Sequence, residues 1–90
     1  RKLSITLYQL ADVRYLKVMY ALYDLTISDF DIYVPVEDIS KAAGVPVEET
    51  DEVLKEMPVT VKDADGRFLY RLEGAFYHIP PMLSLLWYDM

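Results

Sequence analysis

The sequence has no cysteine, which excludes a disulfide framework, thiolate metal sites and thiol nucleophiles and favours a reducing compartment. Asparagine is absent and Gln9 is the single glutamine, a depletion of thermolabile side chains that is typical of thermophilic proteins. No apolar run can span a membrane, because charged residues interrupt the first one and the uncharged stretch 74–88 is too short. We therefore expect a soluble, cytoplasmic protein.

Patterns that carry chemistry are equally scarce. His78 is the only histidine, and no second candidate ligand or catalytic partner lies near it in the sequence. Asp63 and Asp65 before Gly66 resemble the start of a calcium loop, but the later ligands are missing, so we interpret them as turn residues. No glycine-rich phosphate loop or nucleophile motif is present. We predict no enzymatic activity, no cofactor, no metal and no small-molecule substrate.

What the chain does have is apolar surface and acid. With 90 residues and 53% hydrophobic residues, it is expected to form one domain over 1–90 with a single core. The net charge is −6, and residues 29–57 carry nine acids and two bases. The acidic charge is thus concentrated in the middle of the chain.

That acidic middle segment has the pattern of a helix-turn-helix. A first helix is predicted to end at Gly44, which tolerates a positive φ, and Val45 fills the corner. Pro46 and the acids after it suit the start of a second helix. The residues expected to face inward on it recur at helical spacing: Val47, Thr50, Val53, Leu54 and Met57.

The flanking segments predict another helix and a hairpin. Residues 11–25 are apolar over more than half of the helix circumference, so this helix should be covered on two sides. Residues 32–34 form a short β-type run, and 3–10 fit either a strand or the lead-in to a helix. The turn Asp65-Gly66 predicts a hairpin, with these apolar residues on one face: Val59, Val61, Phe68, Tyr70 and Leu72.

The last segment is expected to be an apolar helix over 80–90, opened by Pro80-Pro81. It is too apolar to be left in water, so it either folds back on the first helix or packs on another chain. A symmetric homodimer is the commonest outcome of such a face. The predicted self-association residues are Tyr15, Val18, Leu22, Met82, Leu85, Leu86 and Trp87.

From residue 11 to 72, the order of helix, short strand, helix, turn, helix and hairpin resembles the winged-helix family. The resemblance implies that 36–43 is helix 2, that 46–57 is helix 3 and that 63–67 is the tip of the wing. The expected fold is therefore α+β and mainly α: a winged helix-turn-helix with a two-stranded wing and an extra C-terminal helix.

The family most often binds DNA through helix 3, and such binding depends on Lys and Arg that neutralise phosphates. Here the outward face of helix 3 is mostly acidic and would repel phosphates. We therefore predict a non-enzymatic module that binds protein partners through that face. The predicted partner-binding residues are Glu48, Glu49, Glu52, Lys55 and Glu56.

The alternative is a DNA-binding transcriptional regulator that uses the wing. Lys62, Arg67 and Arg71 share the other side of the predicted hairpin and could contact phosphates, although the neighbouring acids can equally offset them as solvated charges. A third interpretation is that the chain belongs to a larger nucleic-acid machine in which it supports its neighbours.

Overall fold

The computed structural model describes residues 12–88 of the chain, and side chains over 12–83. Within this range an α+β domain, mainly helical, is confirmed. The elements are α1 (Val13–Thr26), β1 (Val34–Pro35), α2 (Val36–Ala43), α3 (Val47–Glu56), β2 (Val59–Ala64), β3 (Arg67–Leu72), a 3-10 turn (Gly74–Phe76) and α4 (Ile79–Tyr88). The predictions for residues 3–10, 89 and 90 lie outside the described residues. No helix over 12–88 is both long and apolar enough to cross a membrane.

The core forms around α1, which packs against α2, α3, β1, β3 and α4. Asp12 caps the start of this helix, since its Oδ1 accepts a hydrogen bond from the Arg14 amide at 2.9 Å. Tyr15 is only 2% exposed, and Val18 and Leu22 are fully buried. The prediction that these three form part of a self-association face is therefore wrong, because the core of the same chain already encloses their side chains.

The corner between α2 and α3 is built as the sequence predicts. Gly44 has φ +70° and follows the last residue of α2, and its amide donates to the Ser40 carbonyl at 2.9 Å. Val45 is buried, and its carbonyl accepts hydrogen bonds from the hydroxyls of Ser40, at 2.5 Å, and Thr50, at 3.2 Å. These bonds fix the angle at which α3 leaves the corner.

On α3 the predicted inward face is confirmed except at its first residue. Thr50, Val53, Leu54 and Met57 are buried. Val47 is 40% exposed, so the prediction for it is wrong. Val47 begins the helix, and the core covers the inward face of α3 only from Thr50 onward.

The hairpin has the predicted turn and register. Asp65 and Gly66 both have positive φ, 57° and 81°, which defines a two-residue type I′ turn. Val61 pairs with Tyr70 and Val59 with Leu72, so the predicted apolar residues do share a face. β1 adds a third strand, which gives the antiparallel order β1-β3-β2.

The chain then returns to the core through the 3-10 turn. Ile79 and Leu83 of α4 pack against the core, whereas Met82 is half exposed. The start of α4 therefore folds back onto the core of the same chain, which is one of the two predicted alternatives. The side chains of Leu85, Leu86 and Trp87 lie outside the described part, so their self-association stays a prediction.

Candidate functional site

An open groove of about 420 Å³ lies between α3 and the hairpin. Its lining is mostly apolar and consists of Leu54, Met57, Val59, Val61, Phe68 and Tyr70, with Asp51 and Lys55 from α3. Leu54, Met57 and Val59 are buried, while Val61 is 45% and Phe68 56% exposed. We call this set of residues the α3–hairpin groove.

The groove exists because the hairpin is longer than the core beneath it. The pairing of Val61 with Tyr70 and of Asp63 with Phe68 continues the apolar face outward from the buried pair Val59 and Leu72. Val59 and Leu72 are buried and Tyr70 packs partly against the core, whereas Val61 and Phe68 remain exposed beside α3. The sequence predicts which residues share this face but not where the core beneath it ends.

The surroundings of the groove are acidic. The sequence of α3 contains five acids and one base, a net charge of −4. Burial raises the pKa of the Tyr70 hydroxyl, and the carboxylates of Asp51 and Glu37 raise it further. Negative charge near a tyrosine disfavours its ionisation, and these two carboxylates lie close enough to the groove lining to act on Tyr70.

The predicted partner-binding residues of α3 lie on its outer surface. Glu48, Glu52, Lys55 and Glu56 are exposed. Glu49 is half-buried and pairs with Arg14 of α1 at 2.8 Å. Lys55 Nζ lies 3.6 Å from a carboxylate oxygen of Asp51, so the only base of α3 is partly offset at the groove edge.

The three predicted wing bases are placed differently from one another. Lys62 Nζ lies 5.5 Å from the centre of the Tyr33 ring, and Arg67 Nη2 lies 3.1 Å from Glu37 Oε1. Both remain exposed.

Arg71 instead turns toward the loop that follows α1. Its Nη1 lies 2.8 Å from the carbonyl oxygens of Thr26 and Asp29 and 3.2 Å from that of Ile32. Its guanidinium carbon also lies 4.6 Å from the centre of the Tyr77 ring. Arg71 therefore holds the loop, and its predicted contact with nucleic acid would compete with these bonds.

A second groove, of about 580 Å³, lies between α1 and the end of α2. Its lining includes Val13, Leu16, Lys17, Tyr20, Ala21, Asp24, Leu25, Ala42 and Ala43. The sequence analysis does not predict this groove, because the apolar pattern of residues 11–25 does not show which side of the helix the other elements leave uncovered. The available signal is Val13, an apolar residue on the same line of the helix as Lys17.

Over residues 12–83 no cluster of three or more His, Cys, Asp or Glu side chains is arranged to hold a metal ion. No protein-family model, curated protein or solved structure matches this chain.

Proposed function

We propose that this chain is a winged-helix domain that binds protein partners and catalyses no reaction. The order of its elements and the tight hairpin after α3 support the family assignment. The observation that carries the function is the α3–hairpin groove, in which Val61 and Phe68 are exposed beside an acidic helix. An isolated exposed apolar residue needs no explanation, but an apolar groove with a charged edge is what a protein partner fills.

The same surface is poorly suited to DNA. Affinity for DNA comes mainly from bases that neutralise phosphates, and α3 has a net charge of −4. A protein segment with one bulky apolar side chain and flanking Lys or Arg matches both features of the site. The apolar side chain would displace water from the groove, and the bases would be attracted to α3 and speed the encounter.

The test is to select binders from a displayed random-peptide library and to measure their affinity by fluorescence anisotropy. We expect enriched peptides with a bulky apolar residue between basic residues. Phe68→Ser should weaken their binding at least about tenfold, equivalent to about 1.4 kcal/mol. Phe30→Ser is the matched control, because Phe30 is 76% exposed but does not line the groove.

Charge reversal on α3 provides a second readout. Glu48→Lys with Glu52→Lys should weaken peptide binding at low salt and have a smaller effect at high salt, because exposed charges are screened. Selected peptides that bind the wild type and Phe68→Ser equally well would refute a role for the groove.

The second candidate is a DNA-binding regulator that uses the wing, favoured by the exposed bases Lys62 and Arg67. A labelled mixed-sequence duplex would be titrated at two salt concentrations. Salt-sensitive binding that survives Phe68→Ser and is abolished by Lys62→Glu with Arg67→Glu would replace the protein-binding proposal with this one.

A further inference from the structure

One line of α1 is not covered by the other elements that the structure describes. Val13, Lys17, Tyr20 and Asp24 follow one another at spacings of four, three and four residues, and Ile27 at the end of the helix continues the line. Residues at this spacing share one face of a helix. We call these five residues the α1 stripe.

The stripe offers both apolar and charged surface. Val13 is 63% and Ile27 46% exposed, Lys17 and Asp24 are exposed, and Tyr20 is half-buried. Apart from Ile27, the stripe forms one wall of the groove between α1 and α2, together with Leu16 and Leu25. Ala42 and Ala43 line the other side of that groove, and their small side chains leave room for another element to approach.

The charges of the stripe are complementary to those of a second, antiparallel copy of the same stripe. Lys17 lies three residues before Tyr20, and Asp24 lies four residues after it. A second α1 running antiparallel, related by a two-fold axis near Tyr20, would bring Lys17 of each chain to Asp24 of the other. The same operation brings Val13 of one chain near Ile27 of the other.

We propose that the α1 stripe binds a second copy of this chain and forms a two-fold symmetric dimer. A two-fold interface needs a patch that is complementary to itself. The stripe meets this condition because its base, Lys17, and its acid, Asp24, lie on opposite sides of its centre at Tyr20. A partner of a single charge sign would leave one of these two charges facing a like charge. The surface shares no lining residue with the α3–hairpin groove, so the dimer and the proposed function stand independently.

The test is a charge-exchange experiment on the full chain, read by sedimentation velocity over a concentration series. Lys17→Asp and Asp24→Lys each place like charges opposite one another twice per dimer, so each should weaken dimerisation at least about tenfold. The double variant Lys17→Asp with Asp24→Lys restores opposite charges and should dimerise again. An equimolar mixture of the two single variants should form heterodimers, because every facing pair is then attractive.

Circular dichroism checks that each variant is folded, and rescue by the double variant excludes a general loss of structure. A wild type that stays monomeric at every concentration would overturn the proposal, and so would a dimer indifferent to the single reversals. Phe68→Ser should leave the dimer intact. Loss of peptide binding therefore tests the α3–hairpin groove alone, and loss of the dimer tests the stripe alone.

Discussion

The hydroxyl of Tyr77 and Oγ1 of Thr26 lie 2.6 Å apart and join the end of α1 to the segment before α4. Thr26 Oγ1 donates its only hydrogen to the Leu22 carbonyl at 2.6 Å, so the Tyr77 hydroxyl is the donor to Thr26. That hydroxyl also accepts from the Leu72 amide at 3.1 Å. Each hydroxyl thus donates one hydrogen bond and accepts another, and Thr26 is fully buried.

We expect Thr26→Val to lower the free energy of unfolding by about 1–3 kcal/mol, because it leaves the Tyr77 hydroxyl without its acceptor. Tyr77→Phe should have a similar cost, since the Leu72 amide loses its acceptor. A double-mutant cycle measured by urea unfolding should give a coupling energy of about 1 kcal/mol. Strictly additive effects would show that the two hydroxyls do not stabilise each other.

Arg71→Lys should destabilise the fold by about 1–2 kcal/mol, because an ammonium group cannot reproduce the planar contact with Tyr77 together with the bonds to the loop carbonyls. The matched control is Arg67→Lys, since Arg67 forms an exposed ion pair with Glu37, and such pairs contribute about 0–1 kcal/mol. Urea midpoints would compare the two. Equal effects would mean that the bonds from Arg71 to the loop add nothing to stability.

Because of Tyr15, the free energy of unfolding is expected to fall at alkaline pH. Burial raises its pKa from 10.0 to about 12, and the carboxylate of Glu56 adds to the rise. The folded state therefore keeps the proton more strongly than the unfolded chain. The resulting contribution to the free energy of unfolding is fully present below about pH 10 and is lost as the pH rises through about 12. The total loss is about 3 kcal/mol.

Tyr15→Phe removes this dependence, so the difference in unfolding free energy between variant and wild type should widen from pH 9 to pH 12. At neutral pH the variant should be as stable as the wild type or about 1 kcal/mol more stable, because the buried hydroxyl has no hydrogen-bond partner among the described residues. Parallel stability curves for the two proteins would contradict the expected shift.

The groove variants should not perturb the fold. Phe68→Ser and Phe30→Ser each replace an exposed side chain and should change the unfolding free energy by no more than about 0.5 kcal/mol. Leu54→Ala, in the buried floor of the groove, should cost about 2–5 kcal/mol. Thermal denaturation of the three variants would check this, and unfolding of Phe68→Ser would invalidate it as a probe of binding.

Helix ends and turns could be predicted from the sequence where the backbone preference of a single residue determines them. Gly44 ends α2 with a positive φ, and Asp65-Gly66 forms the tight turn that sets the hairpin register. The bounds of α2 agree with the prediction to the residue, and α1 and α3 agree to within two.

Burial was harder to predict on α1, because its apolar residues occupy more of the circumference than one core needs. Periodicity orders Tyr15 and Val18 around the helix, but it does not say which side the other elements cover. The sequence predicts an open face for Tyr15 and Val18, and both lie in the core. Tertiary contacts also decide where a long side chain is directed, and sequence periodicity does not show them. Arg71, for example, binds backbone carbonyls some 40 residues earlier in the chain.

The two outer strands of the described sheet are β1 and β2. Pro35 in β1 has no backbone N–H to offer to a further strand, and β2 carries the exposed charges of Lys62 and Asp63. Both edges therefore oppose extension of the sheet by another strand. The domain can display apolar side chains at its surface while resisting the edge-to-edge stacking that leads to aggregation, and a partner is expected to bind through side chains rather than by lengthening the sheet.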